Sequence, residues 1–369
     1  MTNSLFTFPS KEILNSLEDN FYIIPQGIIF NNNDIQNSSI AFPINTGNDY
    51  FSALKLVIFH NSKYYSYFFS VYDFINWLDT QEKKILNLFS SSISNFNKNN
   101  KKFCGYDLDE PLLMGILNVT PDSFSDGGKY NNLEAAISYS LKMIENGASI
   151  IDVGGESTRP GAVPIDPNLE QDRVLPVIKS LSEKGITVSI DTMHASTMDL
   201  ALKSGAKIVN DVTALKYDKE SIDVIKKNSA NVILMHMQKT PLTMQDSPSY
   251  INAPIEIYNF LKDRVDDCIS KGIERDMISI DPGIGFGKSF NHNFEVIKNI
   301  MLFHMMGLPL LIGVSRKSFI GRLTNQQIPQ NRMIGSVVLN LMSAIKGVNI
   351  LRVHDVNETS QAMKAIDLF

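Results

Sequence analysis

The chain has 369 residues, which is long enough for one large domain with a smaller one, or for a barrel with an extension. Its hydrophobic fraction of 43% and charged fraction of 20% are typical of a globular protein. The net charge of -5 gives no reason to expect a nucleic-acid partner, so an anionic ligand would need local basic groups.

Neither the cysteines nor the apolar runs indicate a secreted or membrane protein. Cys104 and Cys268 lack CxxC spacing and a neighbouring histidine cluster, so we expect thiols in a reducing compartment rather than a disulfide or a metal site. The first residues, MTNSLFTFPSKE, lack a basic segment followed by an apolar run, which argues against a secretory signal. No run approaches the roughly 18 apolar residues that span a bilayer. We expect a cytoplasmic protein without a membrane partner.

The first hundred residues are rich in aromatic side chains and asparagine. Two aromatic-rich runs, Leu54–His60 and Lys63–Ser70, flank Asn61 and Ser62 and predict a β-hairpin. Apolar spacing from Asp73 to Phe89 predicts one amphipathic helix after the hairpin.

The polar run from Ser90 to Glu110 predicts a solvated linker. We therefore expect a small α+β extension of unknown role over residues 1–105. A second and larger domain is expected over residues 106–369.

From Pro111 onward, short β-branched runs alternate with segments of helix length. This alternation predicts parallel strands joined by helices. Eight such runs within roughly 258 residues fit a closed (β/α)8 TIM barrel better than an open sheet. The predicted fold is therefore α/β, a TIM barrel preceded by the small extension. The eight runs are LLMGILN, SIIDVGG, TVSID, AKIVND, VILMH, MISID, PLLIGVS and NILRVHD.

Each of the eight runs ends in polar residues that a purely structural strand would not need. In a TIM barrel the carboxyl ends of the strands carry the catalytic groups. One polar strand end would be an ordinary cap, but eight in series indicate a site. In chain order they are Asn118, the Gly154-Gly155-Glu156 turn, Asp191, Asn210-Asp211, His236, Asp281, Ser315-Arg316-Lys317, and Arg352 with His354.

One group of these residues suits a phosphate ligand. Arg159, Arg352 and His354 offer cationic or donor groups, and the planar fork of arginine matches phosphate oxygens. Asn118 and Thr158 can meet phosphate oxygens or a hydrated cation. Because Mg²⁺ takes few protein ligands besides phosphate oxygens, Asn118 alone could serve as its protein ligand.

A second group, Asp191, Asn210, Asp281 and Lys317, suits a nitrogen heterocycle. Carboxylates and an amide can pair with a guanidine-like edge that presents adjacent N–H donors. The implied ligand therefore has a diphosphate at one end and a nitrogen heterocycle at the other. Two loops rich in Gly, Pro and Ser, residues 118–128 and 154–161, have the composition of lids that exclude water.

The polar strand ends lie within eight longer stretches: MGILNVTPDSFSDGG (114–128), DVGGESTRPGA (152–162), SIDT (189–192), NDVTAL (210–215), MHMQ (235–238), DPGIGFGK (281–288), GVSRKS (313–318) and RVHDV (352–356). These stretches resemble the dihydropteroate synthases, a family of pterin-binding TIM-barrel enzymes. They stand in the family's order and cover the chain from residue 112 onward. Departures from the family pattern include Ile284, where Phe is frequent, and Lys239, where Gly is usual.

The resemblance implies a role for each matching residue. Asp191, Lys317, Arg352 and His354 are the residues implied to be catalytic. Those implied to hold the pterin are Asp191, Asn210, Val212, Met235, Asp281 and Lys317. Those implied to bind the diphosphate are Asn118, which would also hold Mg²⁺, with Thr158, Arg159, Arg352 and His354. Those implied to line the 4-aminobenzoate side are Phe124, Pro160, Phe286 and Ser315.

The resemblance also implies the reaction. It is the condensation of (7,8-dihydropterin-6-yl)methyl diphosphate with 4-aminobenzoate to 7,8-dihydropteroate and diphosphate, a transferase step of folate biosynthesis. The C–O bond is expected to break before the arylamine adds, so no side chain has to act as a nucleophile. Sulfonamides should compete with 4-aminobenzoate. The partners are these small molecules and, by analogy with the family, a second copy in a homodimer.

Three other interpretations fit the chain less well. A P-loop would need glycine at 282, where the chain has Pro282, so that motif fails. A pterin-dependent methyltransferase would have no diphosphate to bind, and a catalytically dead pterin-binding protein would be expected to lack the basic residues. His236 is either a support of the barrel rim or a ligand contact. We interpret His60, His194, His292 and His304 as surface or packing residues.

Overall fold

The computed structural model describes residues 8–15, 17, 20–29, 41–43, 50–96, 102–119, 129–159 and 161–366. The chain divides into two compact units. The N-terminal unit comprises residues up to 101 together with 299–307, and the barrel unit comprises 102–298 and 308–368. The sequence did not predict that residues 299–307 belong with the N-terminal unit. Among the described helices, none combines the length and apolar composition needed to cross a bilayer.

An antiparallel sheet forms the centre of the N-terminal unit. Its path is β1-β3-β2, and β4 pairs with β3 from Ala53 to His60 as the predicted hairpin. Asn61 and Ser62, with φ of 47° and 62°, form the two-residue turn, as expected where both central residues are left-handed. The elements are α1 (Lys11–Asn15), β1 (Phe21–Ile29), β2 (Phe42–Pro43), β3 (Tyr50–His60), β4 (Lys63–Ser70), α2 (Val71–Leu78) and α3 (Lys83–Ser94).

The single helix predicted from Asp73 to Phe89 is wrong, because the structure has two helices there. Thr80 Oγ1 and Gln81 Nε2 both donate to the carbonyl oxygen of Trp77, at 2.6 and 3.0 Å. Such side-chain bonds offer the backbone an alternative to continuing the helix. The chain therefore turns after Leu78 and begins α3 at Lys83.

A segment from beyond the N-terminal hundred residues completes the first unit. The 3₁₀ segment Ile300–Met306 has all seven residues buried. The Ile23 backbone N–H donates to Met305 Sδ at 3.0 Å, and Asn95 Nδ2 donates to the Met305 carbonyl oxygen at 2.9 Å. Apolar residues of an α/β loop thus belong to the core of the preceding unit.

Eight parallel strands in the described part of the barrel unit form one sheet in the order β12-β11-β10-β9-β8-β7-β14-β13. A parallel bridge between Ile280 and Leu310 joins the two ends and closes the barrel. The predicted TIM barrel is confirmed. The strands are β7 (Leu112–Asn118), β8 (Ile150–Gly154), β9 (Thr187–Asp191), β10 (Ile208–Asp211), β11 (Asn231–Met235), β12 (Ile278–Asp281), β13 (Leu311–Ile312) and β14 (Ile350–Val353).

Helices connect the strands of the barrel, as the alternating pattern predicted. Gly147 and Gly205, with φ of 105° and 108°, end helices in the conformation open to glycine, and the next strand follows within a few residues. The helices are α4 (Lys129–Glu145), α5 (Pro167–Glu183), α6 (Ala195–Lys203), α7 (Ser221–Asn228), α8 (Ala253–Ser270), α9 (Phe290–Lys298), α10 (Ser318–Thr324), α11 (Met333–Ile345) and α12 (Val356–Ile366).

A short hairpin closes the amino-terminal end of the barrel. It consists of β5 (Lys102–Phe103) and β6 (Tyr106–Asp107), and Phe103 is buried among residues from the starts of the barrel strands. Tyr106 Oη donates to the Ser149 carbonyl oxygen at 2.9 Å. The solvated linker predicted over 90–110 is therefore wrong at both ends, because α3 continues to Ser94 and the hairpin belongs to the barrel core.

Candidate active site

Four polar side chains meet toward the carboxyl ends of β8, β9, β10 and β14. Arg352 Nε donates to Asp152 Oδ2 at 2.6 Å, and Arg352 Nη2 donates to Asp191 Oδ2 at 2.7 Å. Asn210 Nδ2 donates to Asp152 Oδ2 at 3.1 Å. The structure thus joins Asp191, Asn210 and Arg352 in one cluster. Its fourth member, Asp152, was not predicted as a site residue, although its place in the DVGG stretch was a usable signal.

The cluster leaves two buried carboxylate oxygens unsatisfied. Asp152 Oδ1 and Asp191 Oδ1 accept no hydrogen bond from the residues that the structure describes. Burial raises the pKa of Asp191 to about 7, while the charge of Arg352 acts to lower it and that of Asp152 to raise it. An unpaired buried acceptor costs about 1–3 kcal/mol. These two atoms therefore favour a ligand with N–H donors.

A buried lysine ties down the loop that follows β12. Asp281 Oδ1 accepts from the Gly283 backbone N–H at 2.7 Å, and burial raises the pKa of Asp281. Lys288 Nζ donates to the carbonyl oxygens of Gly283 and Phe286 at 2.8 and 3.0 Å, and lies 3.0 Å from His236 Nδ1. Burial lowers the pKa of both Lys288 and His236 well below their usual values. His236 therefore supports the barrel rim.

Lys317 links this loop to an apolar wall. Its Nζ donates to the Ile284 carbonyl oxygen and lies 4.3 Å from the centroid of the Phe286 ring. Burial lowers the pKa of Lys317 to about 7, and the charge of Asp281 acts in the opposite direction. Phe286 packs against a buried cluster that includes two predicted site residues and two methionines that sequence reasoning missed. The cluster consists of Val212, Met235, Met237 and Met244.

Three of the five residues predicted for the diphosphate lie at the end of β7 or in the loop after β8. Asn118 ends β7, half-buried, and no hydrogen bond joins its side chain to another described residue. A Cβ at Gly154 would lie 3.7 Å from Asn118 Oδ1 and 3.8 Å from Asp191 Oδ2, so both atoms flank this glycine. In the loop after β8, Thr158 is half-buried and Arg159 is exposed.

His354 is joined to a residue predicted for the other substrate. Its Nδ1 lies 3.0 Å from Ser315 Oγ, and its backbone N–H donates to the same oxygen at 3.1 Å. Burial lowers the pKa of His354 to about 3, and the charges of Arg352, Arg316 and Arg159 act in the same direction. The imidazole is therefore neutral at physiological pH, and it can meet an anion as a hydrogen-bond donor without a charge.

Two predicted site residues, Phe124 and Pro160, lie outside the described residues, as does the stretch 120–128 of the first loop. Lys239, which departs from the family's usual glycine, has a φ of 60°. This is the left-handed conformation that glycine adopts without strain, so the glycine that the resemblance leads us to expect there would fit the same backbone.

A second polar cluster lies at the base of the loop after β8. One ligand atom from each of Glu156, Glu170 and His194 lies within 4.8 Å of the others, and all three residues are buried. His194 Nε2 is already 3.2 Å from Glu156 Oε2, and Glu170 Oε2 accepts from Thr192 Oγ1 at 3.0 Å. These bonds describe an ion pair with supporting hydrogen bonds rather than open metal ligands.

Comparison with known proteins identifies the family of this site. A family described as "Pterin binding enzyme" matches residues 114–354. A dihydropteroate synthase of Escherichia coli strain K12 is 42% identical over 262 residues, which cover 71% of this chain and 92% of the relative.

Solved structures give the same result. A Xanthomonas albilineans dihydropteroate synthase with 4-aminobenzoic acid aligns with a TM-score of 0.68 at 40% identity, over 71% of this chain and 94% of the other. The same enzyme in complex with 7,8-dihydropteroate aligns with a TM-score of 0.65 at 37% identity, over 71% and 94%. A Yersinia pestis dihydropteroate synthase in a sulfonamide drug complex aligns with a TM-score of 0.68 at 42% identity, over 71% and 95%. The chain belongs to the dihydropteroate synthase family of pterin-binding enzymes.

Proposed function

We propose that the barrel transfers a (7,8-dihydropterin-6-yl)methyl group from diphosphate to the amine of 4-aminobenzoate, giving 7,8-dihydropteroate in folate biosynthesis. The chain is thus a transferase. The observation that carries the proposal is that the buried Oδ1 atoms of Asp152 and Asp191 accept no hydrogen bond from any described residue. A dihydropterin presents amino and ring N–H donors along one edge, and these carboxylates can accept hydrogen bonds from them.

The pterin end is formed by hydrogen-bonding groups on one side and apolar ones on the other. Asp191 and Asn210 lie in the cluster around Arg352, while Asp281 and Lys317 lie toward the loop after β12. Val212 and Met235 belong to the buried apolar cluster and would pack on a face of the heterocycle. Polar groups would thereby hydrogen-bond to the edge of the pterin, and the apolar groups would shield its face from water.

Arg352 would first hold carboxylates of the pterin end and would then bind the diphosphate. In this structure two carboxylates hold its guanidinium. A pterin that donates to Asp191 would compete with Arg352 for that carboxylate. The guanidinium could then point its N–H groups toward the diphosphate. Arg159, Thr158 and His354 would complete the diphosphate site. Filling the pterin end would thus prepare the diphosphate end.

The reaction requires the protein to position the two substrates and to stabilise charge, and it requires no nucleophilic side chain. The bond that breaks joins the methylene carbon to a diphosphate oxygen, and its electron pair leaves with the diphosphate. The bond that forms joins the same carbon to the nitrogen of 4-aminobenzoate, which then loses a proton. Ser315 and Phe286, with Phe124 and Pro160, would line the arylamine side. Excluding water and stabilising the departing charge would dominate the barrier.

We propose Mg²⁺ as the metal of the diphosphate end, with Asn118 as its protein ligand. The side chain of Asn118 has no hydrogen bond to another described residue and lies beside Gly154, which has no side chain to obstruct a ligand. An amide oxygen with phosphate oxygens and water is a set that Mg²⁺ accepts. Bound there, the ion would neutralise charge on the diphosphate. Calorimetric binding of diphosphate with and without Mg²⁺ tests this: the Mg²⁺ effect should vanish in Asn118→Ala, and an equal effect would exclude Asn118.

We also propose a homodimer formed through α11. This helix exposes an apolar residue at every fourth position and buries small polar residues. A helix that packed only on its own barrel would bury its apolar residues and expose its polar ones. Sedimentation of the wild type and of Val338→Asp tests the proposal, because a dimer through this face should dissociate in the variant. The exposed residues are Ile334, Val338 and Met342, and the buried ones are Ser336, Asn340 and Ser343.

The cytoplasm is the proposed compartment. Cys104 and Cys268 are free thiols in the structure, which suits a reducing environment. Imaging of the tagged chain in its host would test this assignment.

A coupled assay for diphosphate release tests the reaction. We expect release from the pterin diphosphate only when 4-aminobenzoate is present, and a sulfonamide should compete with the arylamine. Tight pterin binding without release would instead indicate a pterin-binding protein. Methyl transfer from a methylated pterin in place of diphosphate release would indicate a methyltransferase.

A further inference from the structure

The described parts of the loop between β8 and α5, residues 155–159 and 161–166, are joined at the loop base by one buried carboxylate. Glu156 Oε1 accepts from the backbone N–H of Ile165 at 3.1 Å, which joins the first turn of the loop to its last. Arg173 Nη1 on α5 donates to the Gly155 carbonyl oxygen at 2.8 Å. A Cβ at Gly155 would lie 2.7 Å from Val174 Cγ1, so the loop begins in direct contact with α5.

His194 connects this carboxylate to the next βα unit. Its Nε2 lies 3.2 Å from Glu156 Oε2, and the exposed fractions of the two side chains are only 9% and 3%. The His194 backbone N–H donates to Thr192 Oγ1 at 3.2 Å, and the Thr192 hydroxyl donates to Glu170 Oε2 on α5 at 3.0 Å. The loop base, the start of α6 and α5 therefore share one network.

The charged groups that face His194 are acidic on each side. Glu156 comes from the loop, Glu170 from α5 and Asp218 from the connection between β10 and α7. The ring of Tyr217, in the same connection, contacts the imidazole edge-on, with 5.4 Å between the ring centroids. The hydrogen bond to Glu156 raises the pKa of His194, burial lowers it, and the charges of Glu170 and Asp218 raise it further. The net shift is upward, which favours the imidazolium form.

We propose that His194, paired with Glu156, is a positioning residue for the diphosphate site, because the pair fixes the loop that carries Thr158 and Arg159. The inference rests on the proposed function, in which these two residues bind the diphosphate. Breaking a buried ion pair from one side leaves an uncompensated buried charge. The loop would then leave this conformation, and the position of Arg159, three residues from Glu156, would be lost with it.

The pair should respond to pH in one direction. The histidine pKa is raised in the folded chain, so the contribution of the pair is fully present below the ordinary histidine pKa and is lost as pH rises through the raised value. A lysine at this position keeps its charge to higher pH. The ratio of kcat/KM for the pterin diphosphate in His194→Lys to that in the wild type should therefore rise as the pH increases through the raised histidine pKa.

The test compares His194→Lys, His194→Ala and a control, His60→Ala, across pH 6–9. His60 lies in the N-terminal unit and also faces a carboxylate, Glu12, at 3.8 Å. We expect kcat/KM for the pterin diphosphate to fall about tenfold in His194→Ala at pH 7, as for the loss of one well-paired contact. The control should be unchanged. A ratio for His194→Lys that stays flat with pH would overturn the inference.

Hydrogen exchange of the Ile165 amide gives a readout that needs no turnover. Its protection should fall at least tenfold in His194→Ala and be retained in His194→Lys. Wild-type chain that shows this protection but releases no diphosphate would contradict the proposed function and leave the loop anchor intact. Normal turnover together with unchanged protection in His194→Ala would contradict the anchor alone.

Discussion

The ammonium group of Lys317 lies 4.3 Å from the centroid of the Phe286 ring, so a residue assigned to the pterin touches one assigned to 4-aminobenzoate. Such a contact attracts a cation to the ring face. Burial nevertheless lowers the pKa of Lys317 to about 7. The charge of the residue that joins the two proposed subsites therefore changes within the physiological pH range.

Binding of the pterin diphosphate at pH 8 should take up protons. Lys317 is mostly neutral there in the free chain, since its pKa is about 7, and an acceptor oxygen or diphosphate charge favours its protonated form. Calorimetry in two buffers of different ionisation enthalpy measures the uptake. Lys317→Met should abolish it, and at pH 6 it should be small because Lys317 is already charged. Equal uptake in the variant would assign the proton to another group.

Arg352→Ala should destabilise the fold most at high pH. The substitution leaves the carboxylates of Asp152 and Asp191 without their guanidinium, a loss of about 3–5 kcal/mol for a broken buried pair. Without that charge, the pKa of Asp191 rises further above its ordinary value. A raised carboxyl pKa contributes stability that is lost as pH rises from the unfolded pKa to the folded one.

Denaturant unfolding of Arg352→Ala and the wild type at pH 5 and pH 8 measures this difference. The loss should be larger at pH 8, and adding Asp191→Asn should recover part of it. A loss that is equal at both pH values would show that the guanidinium does not stabilise ionised carboxylates.

Local signals in the sequence were enough to predict the barrel. Each strand lies in a short apolar run that polar residues end or follow, and turn glycines such as Gly147 take the expected conformation. The hairpin at Lys102–Asp107 was missed because strands of two residues show no periodicity. The break after Leu78 was missed because it depends on side-chain bonds to one carbonyl oxygen.

The site shows the same limit. The polar strand ends predicted that Asp191 and Arg352 lie at one rim, but not that they bond to each other, because they are 161 positions apart. The role of Lys288 was also missed, since its four close partners are loop carbonyls and one histidine nitrogen that only the folded loop brings together. Sequence therefore predicts which residues reach the site better than it predicts their partners there.

Gly283→Ala should disrupt the loop after β12. A Cβ at this position would lie 1.9 Å from the His236 carbonyl oxygen, which is backbone and cannot move aside cheaply. Gly185→Ala is a matched control, because Gly185 also has a positive φ, of 77°, but a Cβ there would meet nothing within 4 Å. We expect the control to cost about 1 kcal/mol and Gly283→Ala to cost about 3 kcal/mol or more in unfolding free energy. Similar losses in both variants would contradict the close approach.

Phe103→Ala should destabilise the barrel although Phe103 lies outside the eight barrel strands. Phe103 is 1% exposed and packs among the first residues of the barrel strands. Truncating a buried Phe costs about 3–5 kcal/mol. Phe68→Ala, at a residue that is 56% exposed, should change the unfolding free energy little. If both variants unfold alike, the hairpin does not close the barrel.

Removing residues 1–101 should lower the solubility of the remaining chain while leaving the barrel folded. The hairpin that begins at Lys102 is retained, but the segment Ile300–Met306 loses the contacts of Ile23 and Asn95 with Met305. Its seven buried residues would then lie exposed between α9 and β13, and exposed apolar patches promote association. Light scattering of residues 102–369 should show aggregation. The same chain with Leu302→Ser and Phe303→Ser should be less aggregated and equally active. If residues 102–369 are as monodisperse as the full chain, then the segment needs no cover, and the N-terminal unit has some other task.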